Sequence, residues 1–155
     1  MRLINLVFIF CAIATVKAHA DFQGKVISIS DGDTITILKD SRQQIKVRLA
    51  SIDAPEKNQP FGTQAKNFTS KLIFGKQVHI KDEGSDQYNR VLGTVYLGSQ
   101  NINKTIVYNG YAWAYRRYIK DSSYIALEKD AKLHRRGLWS DKNAIPPEIW
   151  RRQRN

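Results

Sequence analysis

Three clusters of charged residues contain the chemical groups from which a reaction site could be built. The run Asp31-Gly32-Asp33 carries two carboxylates around a glycine, and the run from Arg48 to Glu56 carries an arginine, an aspartate and a glutamate. The third cluster, at 86–90, reads Asp-Gln-Tyr-Asn-Arg. Each has an ordinary structural interpretation when taken alone, because Asp-Gly is frequent in hairpin turns and an exposed Arg–Asp pair adds little stability.

Taken together, the clusters supply the groups that phosphodiester hydrolysis requires. Asp33 and Asp53 are hard oxygen ligands, which suit Ca²⁺ or Mg²⁺ better than zinc. Arginine binds a phosphate through two parallel hydrogen bonds and stays charged at any working pH, a role open to Arg48 and Arg90. Glu56 has the carboxylate that a general base needs to activate water. These five residues are therefore the candidate site.

The elements that must position this site follow from the apolar periodicity. Alternation of apolar and polar residues predicts a three-stranded antiparallel meander and two later strands, at 22–30, 34–38, 45–52, 78–81 and 91–96. Amphipathic spacing predicts helices around 65–72, 102–109 and 123–136. We therefore expect an α+β fold, a small five-stranded barrel of the oligonucleotide/oligosaccharide-binding type with about three flanking α-helices.

One geometric condition limits the candidate site. Arg48 and Asp53 are five positions apart, and strict alternation along a strand would place their side chains on opposite faces. A shared site requires strong curvature or a bulge near Ser51.

The three clusters, in this order, resemble the staphylococcal nuclease family. The matching motifs are Asp-Gly-Asp-Thr, Arg-x₄-Asp-x-Pro-Glu and Tyr-x-Arg, and the ending Gly-Leu-Trp-Ser at 137–140 is also similar to that family. The resemblance extends from Gly24 to about Asp141. It implies an endonuclease that uses one Ca²⁺ per chain, acts on DNA and RNA with low sequence specificity, and leaves 3′-phosphate ends.

The resemblance also implies a metal site. Asp33 and Asp53 match the carboxylates that bind calcium in the family. Ala54 matches a residue that binds the ion through its backbone carbonyl, where the family often has threonine. Asp31 matches a nearby carboxylate that lies outside the direct ligand set.

The remaining roles are implied in the same way. Glu56 matches the glutamate that orients or deprotonates the attacking water, and Arg48 and Arg90 match the pair that holds the scissile phosphate. Tyr88 and Tyr115 match tyrosines near the bound nucleotide. The loop at 86–90 departs from the family's founding member, which has lysine where this chain has glutamine and glycine where it has asparagine.

The first twenty residues predict a secretory signal peptide. A basic start precedes an apolar run at 3–16, and Ala18-His19-Ala20 supplies the small residues of a cleavage site after Ala20. The alternative, a membrane anchor, would need roughly 20 apolar residues. Cleavage would remove Cys11, the only cysteine, so a zinc–thiolate site is not expected. We expect a secreted or periplasmic protein.

The predicted mature chain is strongly basic. Removal of residues 1–20 takes away two of the 25 Lys and Arg residues and none of the 14 acidic ones, so the net charge falls from +11 to +9. So basic a domain attracts polyanions such as nucleic acid, anionic lipid or sulfated glycan, and charge alone does not choose among them. We assign the nuclease-like domain to 21–141 and a basic tail to 142–155, whose arginines are most simply interpreted as solvated. The alternative function is a catalytically inactive nucleic-acid-binding barrel, which would not need Asp33, Asp53 or Glu56.

Overall fold

The computed structural model describes residues 20–154, and the predicted signal peptide lies outside them except for Ala20. Its centre is a β-barrel that opens with an antiparallel meander, as the sequence predicts. The first three strands are β1 (Phe22–Asp31), β2 (Thr34–Lys39) and β3 (Gln43–Leu49). β4 (Ile52–Asp53) is a separate two-residue strand.

Two later strands complete and close the barrel. β5 (Gln77–Ser85) pairs antiparallel with β1, and β6 (Val91–Leu97) pairs antiparallel with β5. Parallel pairing of β6 with β3 closes the ring in the order β3-β2-β1-β5-β6. The predicted five-stranded barrel is therefore confirmed, with β7 (Gln100–Asn101) added beside β6 as a sixth strand.

Helices flank the barrel on the side where its strands present apolar residues. They are α1 (Gly62–Ile73), α2 (Ile102–Tyr108) and α3 (Ser123–Leu133), with β8 (Trp113–Ala114) pairing antiparallel with β4. A fourth, short helix, α4 (Pro147–Arg152), lies in the predicted tail. None of the helices in residues 20–154 is long and apolar enough to cross a membrane.

A single core joins the barrel to the helices. Aliphatic side chains of the strands alternate with exposed ones along β1, because successive residues of a strand face opposite sides. The fully buried side chains include Val26, Ile35, Ile37, Val47 and Ile80 from the barrel and Ile73, Ile102 and Ile106 from the helices.

Three predicted boundaries are wrong. The strand predicted at 78–81 runs on to Ser85 as β5, and two other elements end earlier than predicted. The third strand does not run on to Ile52, because the chain leaves the barrel after Leu49 and Ser51 takes a left-handed conformation with φ of 67°. The third helix ends at Leu133 rather than Arg136, because Arg135 and Gly137 both adopt positive φ. The early end of β3 and the turn at Ser51 position part of the candidate site.

Candidate active site

The turn between β1 and β2 holds Asp33 at the wall of the barrel. Thr69 of α1 donates its hydroxyl hydrogen bond to the carbonyl of Gly32, with an O–O distance of 2.7 Å. A Cβ at Gly32 would lie only 2.7 Å from the Cβ of Ala54 and 2.9 Å from that of Ala65. Glycine is therefore required here because the helix and the segment after β4 approach the turn closely.

The break after β3 satisfies the geometric condition on Arg48 and Asp53. The left-handed turn at Ser51 folds the chain back, and β4 then pairs with β8, which places Asp53 opposite Trp113. As a result, Nη2 of Arg48 lies 3.0 Å from Oδ1 of Asp53. The site depends on this irregular turn, in agreement with the expected departure near Ser51.

A buried asparagine stabilises that turn. Asn103, at the start of α2, donates to the carbonyls of Ala50 at 2.9 Å and Gly93 at 3.1 Å, and its Oδ1 accepts from the amide of Val95 at 3.0 Å. Its side chain is fully buried. Asn103 thereby fixes the end of β3 to β6, and sequence inspection missed it because a polar residue in a short helix carries no local signal.

Arg48 links the two candidate metal ligands. Its Nη2 lies 3.0 Å from Oδ2 of Asp33 and 3.0 Å from Oδ1 of Asp53. Its Nη1 donates to the carbonyls of Leu49 at 2.9 Å and Ile52 at 3.0 Å. The guanidinium is thus oriented by the protein itself, beside both carboxylates.

Burial and neighbouring negative charge disfavour the ionised forms of the Asp33 and Asp53 carboxylates. Burial raises the pKa of Asp33 well above its usual range, against the opposing effect of Arg48, and the neighbouring Asp31 and Asp53 raise it further. Burial also raises the pKa of Asp53, although Arg151 and Arg48 act in the opposite direction. Two buried carboxylates that repel each other favour a bound cation.

Arg90 reaches the same region from the β5–β6 loop. Its Nε donates to Oδ2 of Asp86 at 2.7 Å, and its Nη1 lies 3.4 Å from the hydroxyl of Thr34, next to Asp33. The loop turns at Asn89, which adopts φ of 58°. Tyr88 is 70% exposed, and its ring centre lies 5.4 Å from the guanidinium of Arg90, whose side chain is 24% exposed.

Glu56 is less buried than the aspartates and has an unexpected partner. Its Oε1 accepts a hydrogen bond at 2.6 Å from Nη1 of Arg151, a residue of α4. Nη2 of Arg151 also lies 3.0 Å from Oδ2 of Asp53. The backbone amide of Glu56 donates to the side chain of Gln59 at 3.1 Å, and that side chain in turn donates to the carbonyl of Ile145 at 2.5 Å.

Arg151 and Gln59 are the site residues that sequence inspection missed. Arg151 is 98 positions from Asp53, and an arginine in a basic tail is normally solvated. The available signal was the Pro-Pro start of a short helix at 146–147, which is typical of a helix N-terminus.

Asp31 and Tyr115 lie beside these groups. Oδ1 of Asp31 accepts the amide hydrogen bond of Asp33 at 3.1 Å, so Asp31 shapes the turn from within. The amide of Tyr115 donates to the carbonyl of Ser51 at 2.9 Å, and the pKa of Tyr115 is raised by partial burial and by the charge of Asp53. The structure therefore brings all nine predicted site residues to one region of the surface.

A divalent cation fits the donor set of this region. Asp33 and Asp53 contribute buried carboxylates whose pKa values are raised by burial and by neighbouring carboxylates. Within residues 20–154, no group of three or more His, Cys, Asp or Glu side chains is arranged to hold a metal ion. A site here would therefore rest on two carboxylates and be completed by carbonyl, water and phosphate oxygens, a composition typical of Ca²⁺ and Mg²⁺.

Residues 46–141 match the model of the family described as "Staphylococcal nuclease homologue". The chain belongs to that family. It is 46% identical to the "Micrococcal nuclease" of Shigella flexneri, over 90% of this chain and 86% of the relative. It is also 47% identical to an "Uncharacterized endonuclease" of Haemophilus influenzae, over 83% of this chain and 72% of the relative.

The chain is 40% identical to the "Protein ParB" of Escherichia coli, over 89% of this chain and 84% of the relative. The resemblance and the fold predicted from the sequence are thus confirmed, and so is the prediction of a hydrolase of the nuclease class.

Proposed function

We propose that this member of the staphylococcal nuclease family is an exported, Ca²⁺-dependent endonuclease that cleaves DNA and RNA with low sequence specificity and leaves 3′-phosphate ends. One observation carries the proposal. Arg48 of β3 bridges two buried carboxylates, Asp33 of the β1–β2 turn and Asp53 of β4, at 3.0 Å each, with Glu56 and Arg90 beside them. A surface that only binds nucleic acid would not require these charged groups to converge.

The roles of the chain's own residues follow from their positions. Asp33, Asp53 and the carbonyl of Ala54 would hold the cation, which when bound supplies Lewis-acid polarisation of the phosphate oxygens. Glu56 accepts a proton from the attacking water, because its side chain is 37% exposed whereas that of Asp53 is 5% exposed. Arg48 and Arg90 hold the non-bridging oxygens and stabilise the charge that develops in the transition state.

The tyrosines and the basic surface support binding. Tyr88 presents an exposed ring beside Arg90, which suits stacking on an unpaired base at the edge of the site. Tyr115 offers a phenol whose pKa is raised by partial burial and by the charge of Asp53. A net charge of +9 after signal cleavage attracts the polyanion without sequence preference, because contacts to phosphates carry no base information.

Export is supported by the position of the first strand. The barrel begins at Phe22, so cleavage after Ala20 would leave every described strand and helix intact. Sequencing the amino terminus of the protein recovered from the medium and the periplasm tests this part of the proposal. An intact amino terminus in the cell fraction would contradict it.

The decisive experiment is digestion of single- and double-stranded DNA and RNA, with Ca²⁺ and with a calcium chelator. We expect cleavage that the chelator abolishes, Ca²⁺ restores and Zn²⁺ restores poorly, and end-labelling should detect 3′-phosphates. The Asp53→Asn variant should be inactive, whereas the matched control Asp141→Asn, on an exposed residue far along the chain, should retain activity. Binding without cleavage by the unaltered chain would favour the inactive nucleic-acid-binding barrel instead.

A further inference from the structure

The helix α4 delivers an arginine to the carboxylates that the proposed reaction uses. Nη2 of Arg151 lies 3.0 Å from Oδ2 of Asp53, and its Nη1 lies 3.3 Å from Oδ1 of Asp53 and 2.6 Å from Oε1 of Glu56. The guanidinium therefore bridges the candidate metal ligand and the candidate base. Neither the family match, which ends at residue 141, nor the sequence motifs include this residue.

These contacts occupy the oxygens that a cation requires. Arg48 donates to Oδ1 of Asp53, and Arg151 donates to Oδ2, so both oxygens of that carboxylate already have a cationic partner. Ca²⁺ binds carboxylate oxygens at about 2.3–2.6 Å, and Coulomb repulsion opposes placing it beside a guanidinium at a poorly solvated position. The guanidinium of Arg151 and a cation therefore cannot both make their full contacts with Asp53 at the same time.

We propose that the guanidinium of Arg151 and a divalent cation compete for the carboxylate of Asp53, so that Arg151 sets the cation affinity of the site. Arg151 is thus a positioning residue that acts through Asp53 and Glu56. The inference rests on the proposed function, because it assumes that Asp53 binds the cation.

The surroundings of Arg151 allow it to move without unfolding the tail. The hydrogen bond from Gln59 to the carbonyl of Ile145 and the buried ring of Pro147 anchor the segment independently of the arginine. The Arg151 side chain is 40% exposed, whereas that of Asp53 is 5% exposed. When a cation binds, the guanidinium therefore turns to solvent and the carboxylate stays in place.

Isothermal titration of Ca²⁺ into the full-length mature protein tests the proposal without measuring activity. The Arg151→Gln variant should bind Ca²⁺ about fivefold or more tightly, the range in which couplings between ligands normally fall. The control is Arg152→Gln, which removes the same charge from the same helix but alters only the ion pair with Glu148 among the described contacts. It should bind within about twofold of the wild type, and thermal unfolding should show that both variants are folded.

Side-chain NMR of the arginines supplies a second measurement. In the wild type, titration with Ca²⁺ should shift the Nε–Hε signal of Arg151, assigned from the Arg151→Gln spectrum, towards that of a solvated arginine. If Arg151→Gln binds Ca²⁺ no more tightly than the wild type, or the signal does not change while Ca²⁺ binds, the inference is wrong and the proposed function stands. If wild type and Arg151→Gln both fail to bind Ca²⁺, the metal assignment in the proposed function is wrong as well.

Discussion

At the scale of single residues, the site combines buried carboxylates with an exposed base. Asp33 and Asp53 are buried and held by Arg48, whereas the Glu56 side chain is 37% exposed and lies in the loop after β4. A general base must reach water, and Glu56 is the most exposed of the three carboxylates. The difference in exposure is consistent with the separate roles proposed for them.

Glu56→Gln should lower the turnover rate by about 10²–10⁴, the usual effect of losing a general base. Glutamine keeps the size of the side chain and an oxygen that can accept the hydrogen bond from Arg151, so oligonucleotide binding should change much less. The control is Glu148→Gln on α4, which should retain turnover. A Glu56→Gln enzyme with more than about a third of the wild-type rate would show that another group is the base.

Arg90→Lys should lower turnover severely while leaving substrate affinity almost unchanged. The fork of Arg90 is fixed by Nε and Nη2 on Asp86, each at 2.7 Å, which aims the remaining Nη1 at Thr34 and the site. Lysine preserves the charge but cannot make this fixed pair of contacts, and arginines in comparable roles contribute about 10³–10⁵ in rate.

Steady-state kinetics on one oligonucleotide separates these quantities, with Arg42→Lys as the control. Arg42 lies in the exposed turn between β2 and β3, so its replacement should have no effect. Near-normal turnover of Arg90→Lys would remove Arg90 from the site.

At the scale of secondary-structure elements, the site depends on where β3 stops. The chain leaves the barrel after Leu49, and Ala50 is held to β6 by its own amide, which donates to Gly93, and by the amide of Asn103, which donates to the carbonyl of Ala50. Because β4 pairs with β8, Asp53 takes its position from the segment after α2 as well as from the barrel. The packing of α2 therefore controls a distance inside the site.

Asn103→Leu should destabilise the fold by roughly 2 kcal/mol or more. Leucine has a similar volume but leaves the carbonyl of Ala50 and the amide of Val95 without their side-chain partner, whereas the carbonyl of Gly93 still accepts from the amide of Ala50. Each buried group left unsatisfied costs about 1–3 kcal/mol. Urea denaturation measures the loss, and Gln100→Leu, an exposed amide on β7, is the matched control that should stay within about 0.5 kcal/mol of the wild type. An Asn103→Leu protein as stable as the control would show that the turn at Ser51 does not depend on Asn103.

The elements were predictable from the sequence to the extent that their signals are local. Apolar alternation in β1 and β2 and the Asp-Gly turn between them lie within a few residues of each other, so the meander could be predicted. The roles of Asn103 and Arg151 could not, because their partners are 53 and 98 positions away. The break at Ser51 was predictable in part. The spacing of Arg48 and Asp53 required an irregularity near Ser51 if the two were to share a site, but it did not predict a left-handed turn.

At the scale of the whole molecule, the excess of positive charge sets how the protein meets its substrate. Four of the 14 acidic residues, Asp31, Asp33, Asp53 and Glu56, lie close together at the site, and the net charge of residues 21–155 is nevertheless +9. The surrounding surface must therefore carry the excess of Lys and Arg. Under the proposed function, counterion release draws a nucleic acid to that surface, while the acidic centre binds the cation.

Oligonucleotide affinity should consequently fall steeply as salt rises, whereas turnover at saturating substrate should fall less. Each phosphate neutralised by the protein contributes a slope of about −0.7 in log affinity against log salt for a single strand. The chemical step takes place among partly buried groups, which salt screens weakly. Fluorescence anisotropy of a labelled strand in chelator, where no cleavage is expected, measures the first quantity, and initial rates at saturation measure the second. An uncharged peptide-nucleic-acid strand of the same sequence is the control and should bind weakly at every salt concentration. If the charged strand also binds independently of salt, the basic surface faces some other partner.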